Sequence, residues 1–136
     1  MPVIKVRTDN KVFVHVPGPH KPGQQVVFSD DLQKENAVAK VGTHSGFSTL
    51  LRELPNGVLL QYQATYEIYA QPPDPPSDAI AKGQIAAQGV VFWQDDFVEN
   101  TKVAITGGTE AYLNARGEVT WNHVGGRALH TLHIKL

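Results

Sequence analysis

Apolar and polar residues alternate with a period of two along most of this chain. In 58–70, VLLQYQATYEIYA, one set is Val58, Leu60, Tyr62, Ala64, Tyr66 and Ile68; the other is Leu59, Gln61, Gln63, Thr65, Glu67 and Tyr69. An apolar face against a polar one predicts an antiparallel strand buried on one side. In 127–136, Ala128, His130, Leu132, Ile134 and Leu136 alternate with Thr131, His133 and Lys135. In 111–121, Ala111, Leu113, Ala115, Gly117, Val119 and Trp121 alternate with the rest, which puts Tyr112 and Arg116 on the outward face. Further strands are expected over 3–8, 12–16, 24–28, 37–42, 46–53, 83–93 and 101–106.

Helical periodicity is nearly absent: no apolar i, i+3, i+4, i+7 series lasts three turns. The best candidate is 29–40, SDDLQKENAVAK, where Ser29 could cap a short helical turn. Asp30 and Asp31 would then sit in a loop just after a strand. Turn chemistry falls at DN (9–10), PGPHKPG (17–23), PNG (55–57), GG (107–108) and GG (125–126). Gly107-Gly108 is expected to form the hairpin between 101–106 and 111–123. Gly117 has inward parity, where a glycine relieves crowding at a bend or opens space for a guest. The stretch 71–78, QPPDPPSD, holds four prolines and cannot pair in a sheet centre. It reads as a protruding loop, a lid or an insertion.

Eight or nine strands with almost no helix must manage their edges by closing into a barrel or packing as two sheets. Strands as long as 58–70 and 83–93 favour the barrel. The expected fold class is therefore all-β: a closed antiparallel eight-stranded β-barrel with an internal apolar cavity, one domain over 1–136.

Composition narrows the function. The chain has 136 residues, 41% hydrophobic and 18% charged, the balance of a folded protein rather than a disordered one. A net charge of −1 without a basic run argues against nucleic acid, whose affinity rests on phosphate neutralisation. The absence of cysteine excludes disulfides, thiolate nucleophiles and Cys-ligated zinc. No apolar run approaches the roughly 18 residues of a spanning helix, so no membrane partner is expected. MPVIKVRTDN lacks the pattern of a secretory signal, and a cytoplasmic location is expected.

Candidate chemistry is sparse. Of the histidines His15, His20, His44, His123, His130 and His133, only His130 is read as facing inward. His130 and His133 point to opposite faces of their strand, so no metal site is expected. Asp95-Asp96 reads as an exposed loop. Ser48 has no base in a triad arrangement and is expected at most to donate a hydrogen bond. Phe28, Tyr62, Tyr66, Phe92 and Trp93 form the aromatic core or the wall of a pocket, with only one of Phe92 and Trp93 facing inward.

AITGGTEAYLNARGEV (104–119) resembles a signature of the allene oxide cyclase and dirigent barrel superfamily. GQQVVFSDDL (23–32), VGTHSGFSTLL (41–51), QATYEIY (63–69) and GQIAAQG (83–89) are similar, in order, to further strands of allene oxide cyclases. The resemblance implies a small eight-stranded barrel enclosing a cavity. By position, Asp30 stands where those cyclases carry an asparagine, Ser48 where they carry a cavity cysteine, and Gln94 near a tyrosine. Nothing in 1–22 matches their acidic residue, and Glu110 replaces the last glycine of the dirigent Gly-Gly-Thr-Gly. These departures argue against both named activities, and the chain looks most like bacterial natural-product cyclases of the superfamily.

The reading that follows is a cofactor-independent cyclase or isomerase acting on a hydrophobic small molecule held in the barrel. Asp30, Ser48, Tyr66 and Gln94 are the expected catalytic residues; Phe28, Tyr62, Phe92 and His130 are expected to bind substrate. The alternative is a non-catalytic carrier of hydrophobic ligands or a dirigent-type stereodirecting protein. A homo-oligomer, dimer or trimer, is expected.

Overall fold

The computed structural model describes residues 3–8, 13–15, 22–34, 40–69, 82–94, 97–98, 102–124 and 127–136. Its strands are β1 (Val3–Thr8), β2 (Phe13–His15), β3 (Gln25–Lys34), β4 (Lys40–Leu54), β5 (Gly57–Ile68), β6 (Gly83–Gln94), β7 (Phe97–Val98), β8 (Lys102–Gly108), β9 (Arg116–Val124) and β10 (Arg127–Lys135). The one helical element among the described residues is a 3-10 turn, Glu110–Tyr112.

Hydrogen bonding runs β1-β10-β9-β8-β6-β5-β4-β3 and returns from β3 to β1. Every pair is antiparallel, and the circuit of eight strands is a closed barrel. The two short strands extend neighbours. β2 follows β1 along the same edge of β3, with Thr8 opposite Leu32 and Phe13 opposite Phe28. β7 pairs with the far end of β6, beyond the residues that β8 covers.

Period-two patterning decides which face is the interior. Val58, Leu60, Tyr62, Ala64, Tyr66 and Ile68 are all buried, as 58–70 predicts. Ile4 and Val6, Ile85, Ala87 and Val91, Val103 and Ile105, Val119 and Trp121, and Leu132 and Ile134 belong with them to one core cluster. Antiparallel register stacks these residues in rows across β3, β4 and β5: Asp30–His44–Tyr66, then Phe28–Gly46–Ala64, then Val26–Ser48–Tyr62.

Several local expectations are corrected. Residues 29–34 are strand, not a helical turn, because β3 is paired with β4 along one edge and with β1 along the other. Asp30 and Asp31 thus belong to a strand, Asp30 buried and Asp31 exposed. The separate strands 37–42 and 46–53 are one strand, β4, with bulges at Leu32/Gln33 and Leu50/Arg52 in its pairing. Gly107 and Gly108 are not the hairpin turn. They pair with Ala86 and Ile85 inside β8, and residues 109–115 make the connection. Glu110 and Asn114 take the left-handed backbone there. Tyr112 is consequently buried, not outward, its ring lying against Gly83. Leu136, assigned to the apolar face, is exposed. Gly117 has φ 137°, and a Cβ there would run into the His133 carbonyl oxygen, so close strand approach explains it rather than space for a guest. The loop 71–78, His20 and Asp95-Asp96 lie outside the described residues.

Candidate functional site

The site is assembled by register. Asp30 on β3 is paired directly with His44 on β4, and His44 with Tyr66 on β5. Across the interior, the directly paired Trp121 and His130 project from β9 and β10. Side chains opposite each other on one sheet face stand within contact range. The fold thus delivers a carboxylate, two imidazoles, a phenol and an indole to one region without help from loops.

Tyr62 joins from two rows further along. In the row between it and His44, β4 and β5 contribute Gly46 and Ala64, nothing larger than a methyl group, beside Phe28 on β3. The Tyr62 ring occupies that space and stacks on Phe28 at 5.7 Å with planes 4° apart. Its hydroxyl reaches His44 Nε2 in a short hydrogen bond. The ring centroids of Tyr66 and His130 lie 4.7 Å and 4.9 Å from that of His44, and Trp121 meets Tyr62 edge-on at 5.2 Å.

Two polar ends meet in this cluster. At one end, His44 Nδ1 lies 3.5 Å from Asp30 Oδ2, an electrostatic contact too long for a good hydrogen bond. Asp30 Oδ1 and His44 Nδ1 are buried without a hydrogen-bond partner among the described residues. The neighbouring carboxylate selects the tautomer with the proton on Nδ1, which leaves Nε2 to accept from Tyr62. At the other end, Trp121 Nε1–H donates to His130 Nδ1 at 2.6 Å. An indole N–H can only donate, so Nδ1 is an acceptor and the ring proton belongs on Nε2, 3.4 Å from Thr8 Oγ1. The Tyr66 hydroxyl sits 2.7 Å from the same Nδ1.

Burial governs the electrostatics. It lowers the pKa of His44, against the upward pull of Asp30, and so favours the neutral imidazole. It raises Tyr62 well above the usual phenol value, with Tyr66 and Asp30 adding to the effect. Tyr66 is also raised, by burial first. Both phenols therefore remain protonated donors beside an imidazole that can accept. Such a set can move a proton; among the described residues no three His, Asp or Glu side chains converge as metal ligands would.

Of the eight residues expected from sequence, Asp30, Tyr66, Phe28, Tyr62 and His130 are brought together here. Ser48 faces inward opposite Tyr62, and no described hydrogen bond links it to the series. Phe92 has the outward parity of exposed Val90, is half-buried, and does not join. Gln94 ends β6 opposite Phe97, and its side chain lies outside the described residues. Sequence reasoning missed His44, Trp121 and Thr8. His130 is not the single inward histidine: His44 shares the parity of Ser48, a signal visible only if 41–51 is read as one unbroken strand. A shallow groove of about 300 Å³ on the outer wall, edged by Ser45, Phe47, Gln63, Thr65, Gln88 and Thr106, contains none of these groups.

No family model matches the chain, and no curated protein matches its sequence. Among solved structures it is similar to a pyocyanin demethylase, with a TM-score of 0.75 and 21% identity over 98% of this chain and 100% of that one. It is also similar to a pterocarpan synthase dirigent protein, with a TM-score of 0.62 and 20% identity over 98% of this chain and 83% of that one. At these identities the likeness is one of fold, and the fold is a dirigent-like barrel; nothing in it singles out the allene oxide cyclases.

Proposed function

We propose that the protein is a cofactor-independent cyclase or isomerase of natural-product biosynthesis, acting on a small hydrophobic molecule inside the barrel. The observation that carries this reading is the series Asp30–His44–Tyr62, a carboxylate-backed base coupled to a phenol within an apolar wall. Two barrels of the same fold, named for pyocyanin and for a pterocarpan synthase, accord with a small hydrophobic ligand.

The chemistry follows from the assigned protons. A proton leaving the substrate for the Tyr62 oxygen releases Tyr62's own hydrogen to His44 Nε2. Asp30 stabilises the imidazolium that forms, and the Tyr66 O–H donates to an oxygen on which negative charge develops. Return of the proton to a different substrate atom completes an isomerisation; a bond closed in between makes it a cyclisation. No atom or electron is gained or lost, so no cofactor is consumed. The apolar wall contributes by holding the reacting atoms of the substrate together.

The test is turnover. A panel of hydrophobic enones, polyenes and epoxides, each at hundredfold excess over protein in deuterated water, is expected to yield a substrate converted many times per barrel. Deuterium should appear at one carbon of the product. Tyr62→Phe and His44→Gln should each lower kcat by about 10²- to 10⁴-fold, the usual contribution of general acid–base catalysis. Protection of the substrate one for one, with no product, would make the protein a carrier or dirigent-type template instead.

A further inference from the structure

Asp30 has two oxygens in different situations. Oδ2 faces His44, while Oδ1 is buried with no hydrogen-bond partner among the described residues. The side chain is only 8% exposed. No lysine or arginine pairs with it among those residues; the described ion pairs of Lys40 and Lys102 go to Asp31 and Glu118 on the outer surface. His44, the basic side chain nearest to it among the described residues, is held toward neutrality by burial. A buried carboxylate oxygen without a donor is costly, and so is a buried negative charge without a counterion. Phe28, two residues before Asp30 on the same inward face of β3, stands 4.9 Å from His44 and is stacked on Tyr62. Aromatic faces attract cations and flat rings alike.

We infer that Asp30 Oδ1 is the anchor for a protonated nitrogen on the ligand, so that the substrate class is flat aromatic molecules bearing an N–H cation. The two carboxylate oxygens then divide the work, Oδ2 orienting His44 and Oδ1 taking the ligand. This depends on the reading above only in requiring that a ligand enter the barrel.

Isothermal titration of the full chain with a matched pair of probes tests it. 4-Aminoquinoline is protonated on its ring nitrogen at pH 7; 1-aminonaphthalene has the same shape and is neutral. A charge-assisted hydrogen bond should make the first bind at least about tenfold more tightly. Asp30→Asn should abolish that preference. A second measurement needs no variant. Quinoline, largely neutral at pH 6.5, should take up a proton on binding, seen as the quinolinium absorption band. Equal affinity for the two amines, a preference that survives Asp30→Asn, or binding of quinoline without proton uptake would each overturn the inference while leaving a ligand-binding barrel in place. Failure of all three probes to bind would also overturn the inference, whereas the proposed function stands or falls separately, on turnover of the enone, polyene and epoxide panel.

Discussion

His44 decides how the interior responds to acid. Its pKa is lowered in the folded barrel by burial, whereas in the unfolded chain it titrates near 6.5. Between the folded value and 6.5 the unfolded state binds more protons than the folded one, so stability rises with pH in that window. The stabilisation is fully present above about pH 6.5 and is lost as pH falls below it. Thermal melting of the wild type should therefore fall more steeply between pH 7.5 and pH 5 than that of His44→Gln, which has no titrating group at the position. Parallel curves would show that burial of His44 contributes no such linkage. The residues of this site were only partly legible in the sequence. Parity fixed Tyr62, Tyr66 and His130 because their strands alternate cleanly. His44 sits in GTHSG, where small polar residues blur the alternation, and both its electrostatic contact with Asp30 and its hydrogen bond with Tyr62 arise from cross-strand register, which no local pattern encodes.

At the scale of the element, glycines that look equivalent in sequence have unequal jobs. Gly117 is in left-handed backbone with its α-carbon pressed against the His133 carbonyl of β10. Gly107 meets nothing closer than the Arg116 guanidinium, 3.9 Å from where a Cβ would stand. Gly117→Ala should cost about 2–4 kcal/mol, from backbone strain and a clash that only strand separation relieves. Gly107→Ala should stay within about 0.5 kcal/mol, as surface substitutions do. Urea denaturation of the two variants separates the cases, and a neutral Gly117→Ala would contradict the β9–β10 register. The same contrast explains which elements were legible. β5 and β10 read directly because each has a single apolar face. Local preference ends β3 at Phe28, because Ser-Asp-Asp is poor strand material. Its second half is strand because partners on both edges satisfy its backbone groups, and tertiary pairing outweighed local preference.

For the whole molecule, closure depends on β1. It is the strand that pairs with β10 over six residues on one edge and with β3 over three on the other. Its inward side chains, Ile4, Val6 and Thr8, are buried beside Leu32, His130 and Leu132. Without it the barrel becomes an open sheet with two unpaired edges, β3 and β10, which are templates for association. It would also wet the interior from the side on which Thr8 faces His130, and a hydrated His44–Asp30 pair would lose the desolvation that keeps the imidazole neutral. Two measurements follow. Peptides from β1 should resist hydrogen–deuterium exchange to the same degree as peptides from β10, because both strands are then opened only by disrupting the closed sheet. Deletion of residues 1–8 should convert cooperative thermal unfolding into concentration-dependent aggregation. Rapid exchange across β1 beside a protected β10 would mean that the seam is open in solution. A truncated chain that stays monomeric and melts cooperatively would show that the sheet is stable without being closed, and the enclosure on which the proton-transfer site relies would not exist.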